Sequence, residues 1–187
     1  MDIVVSLVCA VVVIPITIVA AIAIKLDDGG PVFSFQKRVG QNNHLIKLMK
    51  LRTMDFNDEG DWKEKGRVNK VTRLGRFLRK SRIDELPQLW NVFTGDVSLI
   101  GPRPEFPEPV KHYTEQIPYY NVRHIIKPGL SGWAQIYHDN HPHHGIDIEE
   151  TRNKLSYDLY YIKNRSFILD IKIALKTIKT LLSRSGI

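Results

Sequence analysis

The pattern of apolar and polar positions separates an uncharged, mostly apolar N-terminal stretch from a mixed remainder. Residues 3–24 carry no charge, and a straight helix of that length reaches about 33 Å, enough to cross the hydrocarbon core of a bilayer. Pro15 lies near the middle, where a proline removes a backbone donor and clashes with the preceding turn, so we expect a kink or break there. The stretch predicts a membrane helix that either spans the bilayer or dips in and returns to the same face.

Two other interpretations of this stretch are open. A signal peptide is one, because residues 21–23 resemble a cleavage site; the first residues, however, carry Asp2 and no Lys or Arg, so the basic segment of a signal sequence is missing. The other is a helix buried in a soluble core.

The remainder begins with the pattern of a β-hairpin. Residues 32–35 and Leu45–Leu51 are apolar runs, and a Gly/Asn-rich segment at residues 40–43 lies between them. Residues 56–66 are polar and acidic, which is typical of a surface loop.

Helices are predicted in four places after the hairpin. In residues 71–82 the apolar and basic side chains fall on separate helical faces. A helix is expected between Pro87, which suits a first turn, and Gly95, which suits a stop; residues 151–164 and 166–183 complete the set. A stiff extended segment is expected where four prolines cluster, namely Pro102, Pro104, Pro107 and Pro109.

The last predicted helix is basic and amphipathic. It can lie in a membrane interface with its lysines near anionic headgroups, or pack on the core with a solvated lysine face. The two faces carry Ile171, Leu175, Ile178 and Leu182 on one side and Lys172, Lys176 and Lys179 on the other.

Composition limits the partners and the compartment. The 187 residues suit one domain with a real core. The formal net charge of +7 favours phosphate-bearing partners such as nucleotides, nucleic acid or anionic lipid. Cys9 is the single cysteine, so no disulfide forms within one chain, which fits a reducing cytosolic location for the body.

Two adjacent carboxylates, Asp84 and Glu85, follow a run of cations. Such a field holds carboxylates ionised and attracts polyanions such as phosphates. Ser81 precedes Asp84 by three residues, the spacing of a capping box, which would place Asp84 at a helix N-terminus. On composition alone, a surface pair that caps a helix and pairs with Arg82 is favoured over a catalytic pair, and only the resemblance described next reverses that order. The cations are Arg67, Lys70, Arg73, Arg76, Arg79, Lys80 and Arg82.

Seven segments, in order and spacing, resemble the bacterial sugar transferases that are monotopic phosphoglycosyl transferases. They are spread along the chain from residue 28 to residue 135. They are residues 28–33 (DGGPVF), 36–40 (QKRVG), 50–54 (KLRTM), 71–79 (VTRLGRFLR), 84–92 (DELPQLWNV), 98–105 (SLIGPRPE) and 127–135 (KPGLSGWAQ).

The resemblance implies a reaction and its catalytic residues. Enzymes of this kind move a sugar-1-phosphate from a UDP-sugar to a polyprenol (undecaprenyl) phosphate, release UMP and so begin a surface polysaccharide or glycan. By analogy Asp84 forms a covalent phosphosugar intermediate in a ping-pong sequence. Glu85 would orient groups or handle a proton, and Mg²⁺ would bind beside Asp84.

The resemblance also implies which residues bind the substrate. Arginine suits phosphate because a guanidinium donates two parallel hydrogen bonds, and in the family the proline-rich loop contacts the nucleotide. The expected binding residues are Lys50, Arg52, Arg79, Arg82, Pro102, Arg103, Pro104 and Glu105.

The family's architecture gives the expected fold and location. We expect a helix-rich α+β fold: residues 1–24 as a re-entrant membrane helix broken at Pro15, and residues 25–187 as a catalytic domain with a small hairpin and a C-terminal interfacial helix. The body would lie on the cytoplasmic face of the bacterial inner membrane and bind no nucleic acid; homo-oligomer formation is left open. Larger relatives carry extra upstream transmembrane helices, so the chain is expected to be a piece of such a protein, with a weak hint of UDP-glucose or UDP-galactose.

Simpler interpretations remain beside this one. The runner-up function is a non-enzymatic, membrane-anchored binder of anionic lipid or nucleic acid. A third is a transition-metal site on a loop, although its histidines lack a recognised spacing. Those histidines are His138, His141, His143 and His144. Asp158 and Asp170 either contribute to the site or cap and pair structurally, and the structural role is favoured. Core or membrane-interface positions are expected for Trp62, Trp90 and Trp133.

Overall fold

The computed structural model describes residues 2–55, 70–137 and 147–182. The expected loop at 56–66, Trp62, Arg67 and the four histidines of residues 138–144 lie outside them. The fold is the predicted helix-rich α+β arrangement, with an apolar N-terminal helix and a small hairpin. Its elements are α1 (Asp2–Asp28), β1 (Phe33–Val39), β2 (Leu45–Leu51), α2 (Arg73–Lys80), α3 (Gln88–Thr94), β3 (Ser98–Ile100), α4 (Pro107–Gln116), β4 (Gly129–Ser131), α5 (Trp133–Tyr137), α6 (Ile148–Asn164) and α7 (Phe167–Leu182).

Helix α1 runs without interruption through Pro15 and is long and apolar enough to cross a membrane. Most of its apolar side chains are exposed, whereas Ala20 and Ile24 pack against β2 and α2. Both ends contact the body: Ser98 Oγ donates to Asp2 Oδ2 at 2.6 Å, and Asp28 pairs with a side chain that follows β2. A re-entrant course in a bilayer stays a prediction.

The predicted hairpin is confirmed. Strands β1 and β2 pair in antiparallel register from Phe33 opposite Leu51 to Val39 opposite Leu45. Its turn places Asn42 at φ 52° and its neighbour Asn43 at φ 61°, left-handed conformations that asparagine adopts more readily than most residues.

A side chain of α3 covers one edge of the hairpin. The buried Asn91 accepts a hydrogen bond from the Met49 amide at 3.0 Å through Oδ1 and donates to the Lys47 carbonyl at 2.9 Å through Nδ2. Asn91 therefore joins α3 to β2 by bonds of the kind that a strand would make.

Helix α2 lies directly against the chain that follows β2. Thr72 caps it by accepting a hydrogen bond from the Gly75 amide at 2.8 Å. A Cβ atom on Gly75 would lie 2.0 Å from the carbonyl oxygen of Thr53, so only glycine permits this approach. The helix predicted at residues 71–82 is confirmed in a shorter form.

The helix predicted between Pro87 and Gly95 is α3, and Gly95 ends it at φ 85°. It leads into β3, which pairs with β4 in a two-stranded parallel sheet that the sequence did not predict. At the start of β4, a Cβ atom on Gly129 would lie 2.0 Å from the Gly101 amide. Two glycines thus let the chain approach β4 just before Pro102.

The extended segment predicted from residue 102 to 109 is wrong in its second half. Pro107 and Pro109 lie in the first turn of α4, where a proline is tolerated because the first amides of a helix have no partner within the helix. Helices α4 and α6 enclose a core with Val110, Tyr113 and Leu155.

Candidate active site

Asp84 lies in a 3₁₀ turn, Ile83–Glu85, between α2 and α3. Arg82 precedes it in the left-handed conformation, with φ 56°, and so turns the chain away from the axis of α2. The predicted capping box is wrong: Ser81 is the C-terminal cap of α2, and its hydroxyl donates back to the carbonyls of Phe77 at 2.8 Å and Leu78 at 3.2 Å.

The Asp84 carboxyl is buried, with 8% of the residue exposed. Burial raises its pKa, and the negative charge of Glu85 raises it further, while Lys50 and Arg79 act in the opposite direction without offsetting the rise. The cations near α2 therefore favour ionised Asp84 less than the sequence suggested. Among the residues that the structure describes, no side chain forms an ion pair with Asp84.

Glu85 binds the cations that surround the pair. Lys50 Nζ donates to its Oε1 at 2.7 Å, and Arg103 Nη2 donates to the same oxygen at 2.8 Å. Burial alone would raise the pKa of Glu85, but the charges of Arg103 and Lys50 outweigh it and hold the pKa at about 2. Glu85 is therefore a fixed negative charge at neutral pH.

The other predicted phosphate-binding arginines lie at different distances from this pair. Arg79 Nε donates to Thr53 Oγ1 at 2.8 Å, and its charge reaches Asp84. Arg82 is more exposed and lies 4.0 Å from Glu85 Oε2. The structure thus brings Lys50, Arg79, Arg82 and Arg103 around the two carboxylates.

Arg52 takes a different position. Its guanidinium pairs with Asp28 at the end of α1, with Nη1 donating to Oδ2 at 2.5 Å, and Nε donates to the Pro31 carbonyl at 2.6 Å. Through these contacts Arg52 connects the end of α1 to the end of β2. Its predicted role in substrate binding stays a prediction.

Glu105, predicted to bind the nucleotide, lies in a buried network. Its carboxylate accepts a hydrogen bond from Tyr120 at 2.8 Å and pairs with Lys154 at 2.5 Å and Arg123 at 3.0 Å. Although burial alone would raise its pKa, Arg123 and Lys154 lower it to about 2. The contacts of Glu105 thus support the loop from within the body, and nucleotide contacts by this residue and by Pro102 and Pro104 stay predictions.

Sequence reasoning did not identify Arg123, Asp158 and Arg38 as site residues. Arg123 pairs with Asp158 at 2.7 Å, and both are 2% exposed; 35 positions separate them, so no local pattern links them. The guanidinium carbon of Arg38 lies 3.3 Å from the centroid of the Phe106 ring. Burial, together with the charge of Arg103, lowers the pKa of Arg38 to about 10. Arg38 belongs to the matched QKRVG segment, which was its only signal.

Asp84 is the residue that fits a metal ion. Mg²⁺ is usually held by one or two carboxylates together with substrate phosphates and water, and a buried carboxylate whose pKa is raised gains from such a cation. Within residues 2–55, 70–137 and 147–182, no three His, Cys, Asp or Glu residues group as a metal cage. A magnesium ion here would therefore depend on Asp84 and on the substrate.

Comparisons with known proteins point to one family. The family model described as bacterial sugar transferase matches residues 1–184. The chain is 43% identical to a UDP-N-acetylgalactosamine-undecaprenyl-phosphate N-acetylgalactosaminephosphotransferase of Aeromonas hydrophila, over 100% of this chain and 44% of the relative. It is 39% identical to a UDP-glucose:undecaprenyl-phosphate glucose-1-phosphate transferase of Caulobacter vibrioides, over 90% of this chain and 63% of the relative.

A further relative is the uncharacterized sugar transferase EpsL of Bacillus subtilis, 40% identical over 97% of this chain and 84% of the relative. The chain spans less than half the length of the Aeromonas hydrophila protein.

Proposed function

Because the chain belongs to the bacterial sugar transferase family, we propose that it transfers a sugar-1-phosphate from a UDP-sugar to undecaprenyl phosphate and releases UMP. The names of its relatives support the general reaction, and they differ in the sugar, which is N-acetylgalactosamine in one and glucose in another. The product would be the first lipid-linked sugar of a surface polysaccharide or glycan.

The first step is nucleophilic attack by Asp84. One carboxylate oxygen forms a bond to the β-phosphorus of the UDP-sugar, and the bond from that phosphorus to the oxygen bridging the two phosphates breaks, so UMP leaves with the electron pair. The observation that carries this proposal is the buried Asp84 carboxylate, which no described cation pairs with, beside a Glu85 that binds two.

Lys50 and Arg103 supply the charge that this attack needs. A carboxylate approaching a diphosphate meets like-charge repulsion, and preorganised cations lower that barrier. Glu85 holds both cations at one oxygen, and with a pKa of about 2 it carries no proton to give at neutral pH. Of the two roles expected for Glu85, orienting the cations is the one that the geometry favours.

Magnesium held by Asp84 and the diphosphate would neutralise charge on the phosphate oxygens. The chain's own contribution beside it is to keep Asp84 buried in a fixed turn and to keep Arg79 close enough to act on its charge.

In the second step an oxygen of undecaprenyl phosphate attacks the phosphorus held on Asp84. The new phosphorus–oxygen bond joins lipid phosphate and sugar phosphate, and the bond to the Asp84 oxygen breaks, which restores the carboxylate. The two products leave in sequence, which is the ping-pong order.

Membrane attachment in one leaflet suits this acceptor. Both ends of α1 contact the body, at Asp2 and at Asp28, which supports a helix that does not carry its N-terminus to the far side. Helix α7 exposes Phe167, Ile168 and Leu175, while two of its lysines lie over rings of α5, Lys172 at 5.5 Å from Trp133 and Lys176 at 4.2 Å from Tyr137. An apolar face left open in this way suits an interfacial helix on the cytoplasmic side of the inner membrane.

The test measures UMP release by the purified protein in detergent with Mg²⁺, undecaprenyl phosphate and a panel of UDP-sugars. Release with one donor, abolished in Asp84→Asn, supports the proposal. Asp27→Asn, an exposed carboxylate at the end of α1, is the matched control and should retain activity. In the absence of acceptor, mass spectrometry should find one phosphosugar on the peptide with Asp84. Well-folded protein that releases no UMP from any donor contradicts the proposal.

A further inference from the structure

The segment that carries Arg103 is held at four consecutive backbone carbonyls. Two of its residues are prolines, whose φ angles are fixed. The carbonyls of Pro102 and Glu105 accept hydrogen bonds from the backbone amides of Gly129 and Val39, each at 2.9 Å. The carbonyl of Arg103 accepts from Arg123 Nη2 at 3.0 Å, and that of Pro104 accepts from Arg38 Nη1 at 3.4 Å. Little backbone freedom is left, so these contacts set the direction in which the Arg103 side chain leaves the chain.

The contact to the Arg103 carbonyl comes from a deeply buried ion pair. Arg123 reaches Asp158 Oδ2 through Nε at 3.0 Å and through Nη2 at 2.7 Å. The same guanidinium lies 3.0 Å from Glu105 Oε1. Two carboxylates therefore compensate the burial of Arg123, and the pair fixes the plane of the guanidinium.

Stability alone does not explain such a pair. Taking two charges out of water costs several kcal/mol per ion, and apolar replacements of similar volume are often neutral or stabilising. An apolar pair, however, would leave the Arg103 carbonyl without its donor. The specific effect of this ion pair is on the loop.

We propose that Arg123, held in place by Asp158, is a positioning residue that sets the contact between Arg103 and Glu85. The chain of contacts runs from Asp158 to Arg123, to the carbonyl of Arg103, and from the Arg103 guanidinium to Glu85 at 2.8 Å. The inference rests on the proposed function in taking that last contact as part of the reacting site.

Loss of the Asp158 charge frees Arg123 to turn towards Glu105 and releases the Arg103 carbonyl. A displacement of about 1 Å at a reacting site costs up to about 100-fold in rate. We therefore expect Asp158→Asn to lower kcat/KM about 10- to 100-fold. Arg123→Lys, which keeps the charge but loses the planar fork, should have a similar effect.

A double-mutant cycle separates positioning from general damage. Arg103→Met removes the guanidinium on which Arg123 is inferred to act. In the Arg103→Met background, Asp158→Asn should change kcat/KM by less than about twofold. An equal fold-change in kcat/KM on Asp158→Asn in the wild-type and the Arg103→Met backgrounds would overturn the proposal. If Asp158→Asn does not fold, Arg123→Lys takes its place; Glu149→Gln, which breaks an exposed pair on α6, is the control and should have no effect.

A second measurement needs no substrate. The NMR order parameter of the Arg103 Nε–Hε bond, assigned by its loss in Arg103→Met, reports whether the guanidinium is held. It should fall in Asp158→Asn, while that of Arg79, bonded to Thr53, stays unchanged. An unchanged Arg103 value would overturn the inference. If the wild-type protein turns over no donor, the transferase proposal fails and this measurement alone decides the positioning role.

Discussion

Arg52 and Asp28 form a two-bond salt bridge at the junction of α1 and β2. Two residues earlier, Lys50 bonds to Glu85. The C-terminal end of β2 and the residue that follows it therefore contact both the long apolar helix α1 and the candidate site. The position of α1 relative to the body and the position of Lys50 relative to the carboxylates are consequently set together.

The first prediction concerns this salt bridge. Asp28→Asn removes the charge with which Asp28 pairs with the Arg52 guanidinium, which is 9% exposed. Hydrogen bonds to charged groups contribute about 1.5–3 kcal/mol, so we expect the free energy of unfolding to fall by about 2 kcal/mol, measured by denaturation in detergent. Asp27→Asn, on the exposed side of the helix end, should leave it unchanged; equal effects of the two variants would contradict the prediction.

The second prediction concerns the contact between α2 and the chain after β2. Gly75→Ala places a Cβ atom against the Thr53 carbonyl, so α2 must shift. We expect a loss of about 1–3 kcal/mol in stability and reduced UMP release, because the Arg79–Thr53 hydrogen bond spans the same contact. Gly29→Ala is the control, because a Cβ atom at Gly29 meets no other atom within 4 Å and only the φ of +73° is unfavourable for alanine. We expect this variant to lose about 1 kcal/mol of stability and to release UMP as the wild type does.

The third prediction concerns acid stability. The folded-state pKa of Glu105 is about 2, below its ordinary value of 4.5, so the unfolded chain binds the proton more readily. The stability that ionised Glu105 contributes is fully present above about pH 4.5 and is lost as the pH falls towards 2. Melting temperatures from pH 6 to about pH 2 should show the difference between wild type and Glu105→Gln shrinking on acidification. A constant difference would refute this assignment.

The fourth prediction concerns topology. Cys9 is the single cysteine, so Cys9→Ser gives a background for labelling. Because Asp2 contacts Ser98 on the body, we expect Asp2→Cys in that background to react with a membrane-impermeant maleimide added on the side of the body, as we also expect of Asp27→Cys. Labelling of position 2 only from the opposite side would show that α1 spans the membrane.

Local patterns predicted the larger elements. Residues 3–24 give an unbroken apolar run, and the hairpin combines two apolar strands with asparagines suited to its left-handed turn. Strands β3 and β4 were missed because three residues are too few to show a period and the partner of Ser98 is Gly129. A parallel pair of this kind depends on contacts that no local pattern encodes.

The errors at the site have physical causes too. The Ser81–Asp84 spacing suggested an N-terminal cap, but α2 ends at Lys80 with Ser81 as its C-terminal cap, and the left-handed Arg82 separates that cap from the turn of Asp84. The resemblance, rather than any local pattern, led to Lys50 and Arg103, which the fold then brings to one oxygen of Glu85. The Arg123–Asp158 support was missed because buried ion pairs between distant segments leave no spacing to detect.

The amide of Asn91 has a consequence for the protein's behaviour at high local concentration. A two-stranded hairpin presents open edges, and open edges recruit strands from neighbouring chains. By bonding to Met49 and Lys47, Asn91 takes up the donor and acceptor that a foreign strand would use on that side of β2. Molecules held close together are thereby hindered from joining through this edge into an intermolecular sheet.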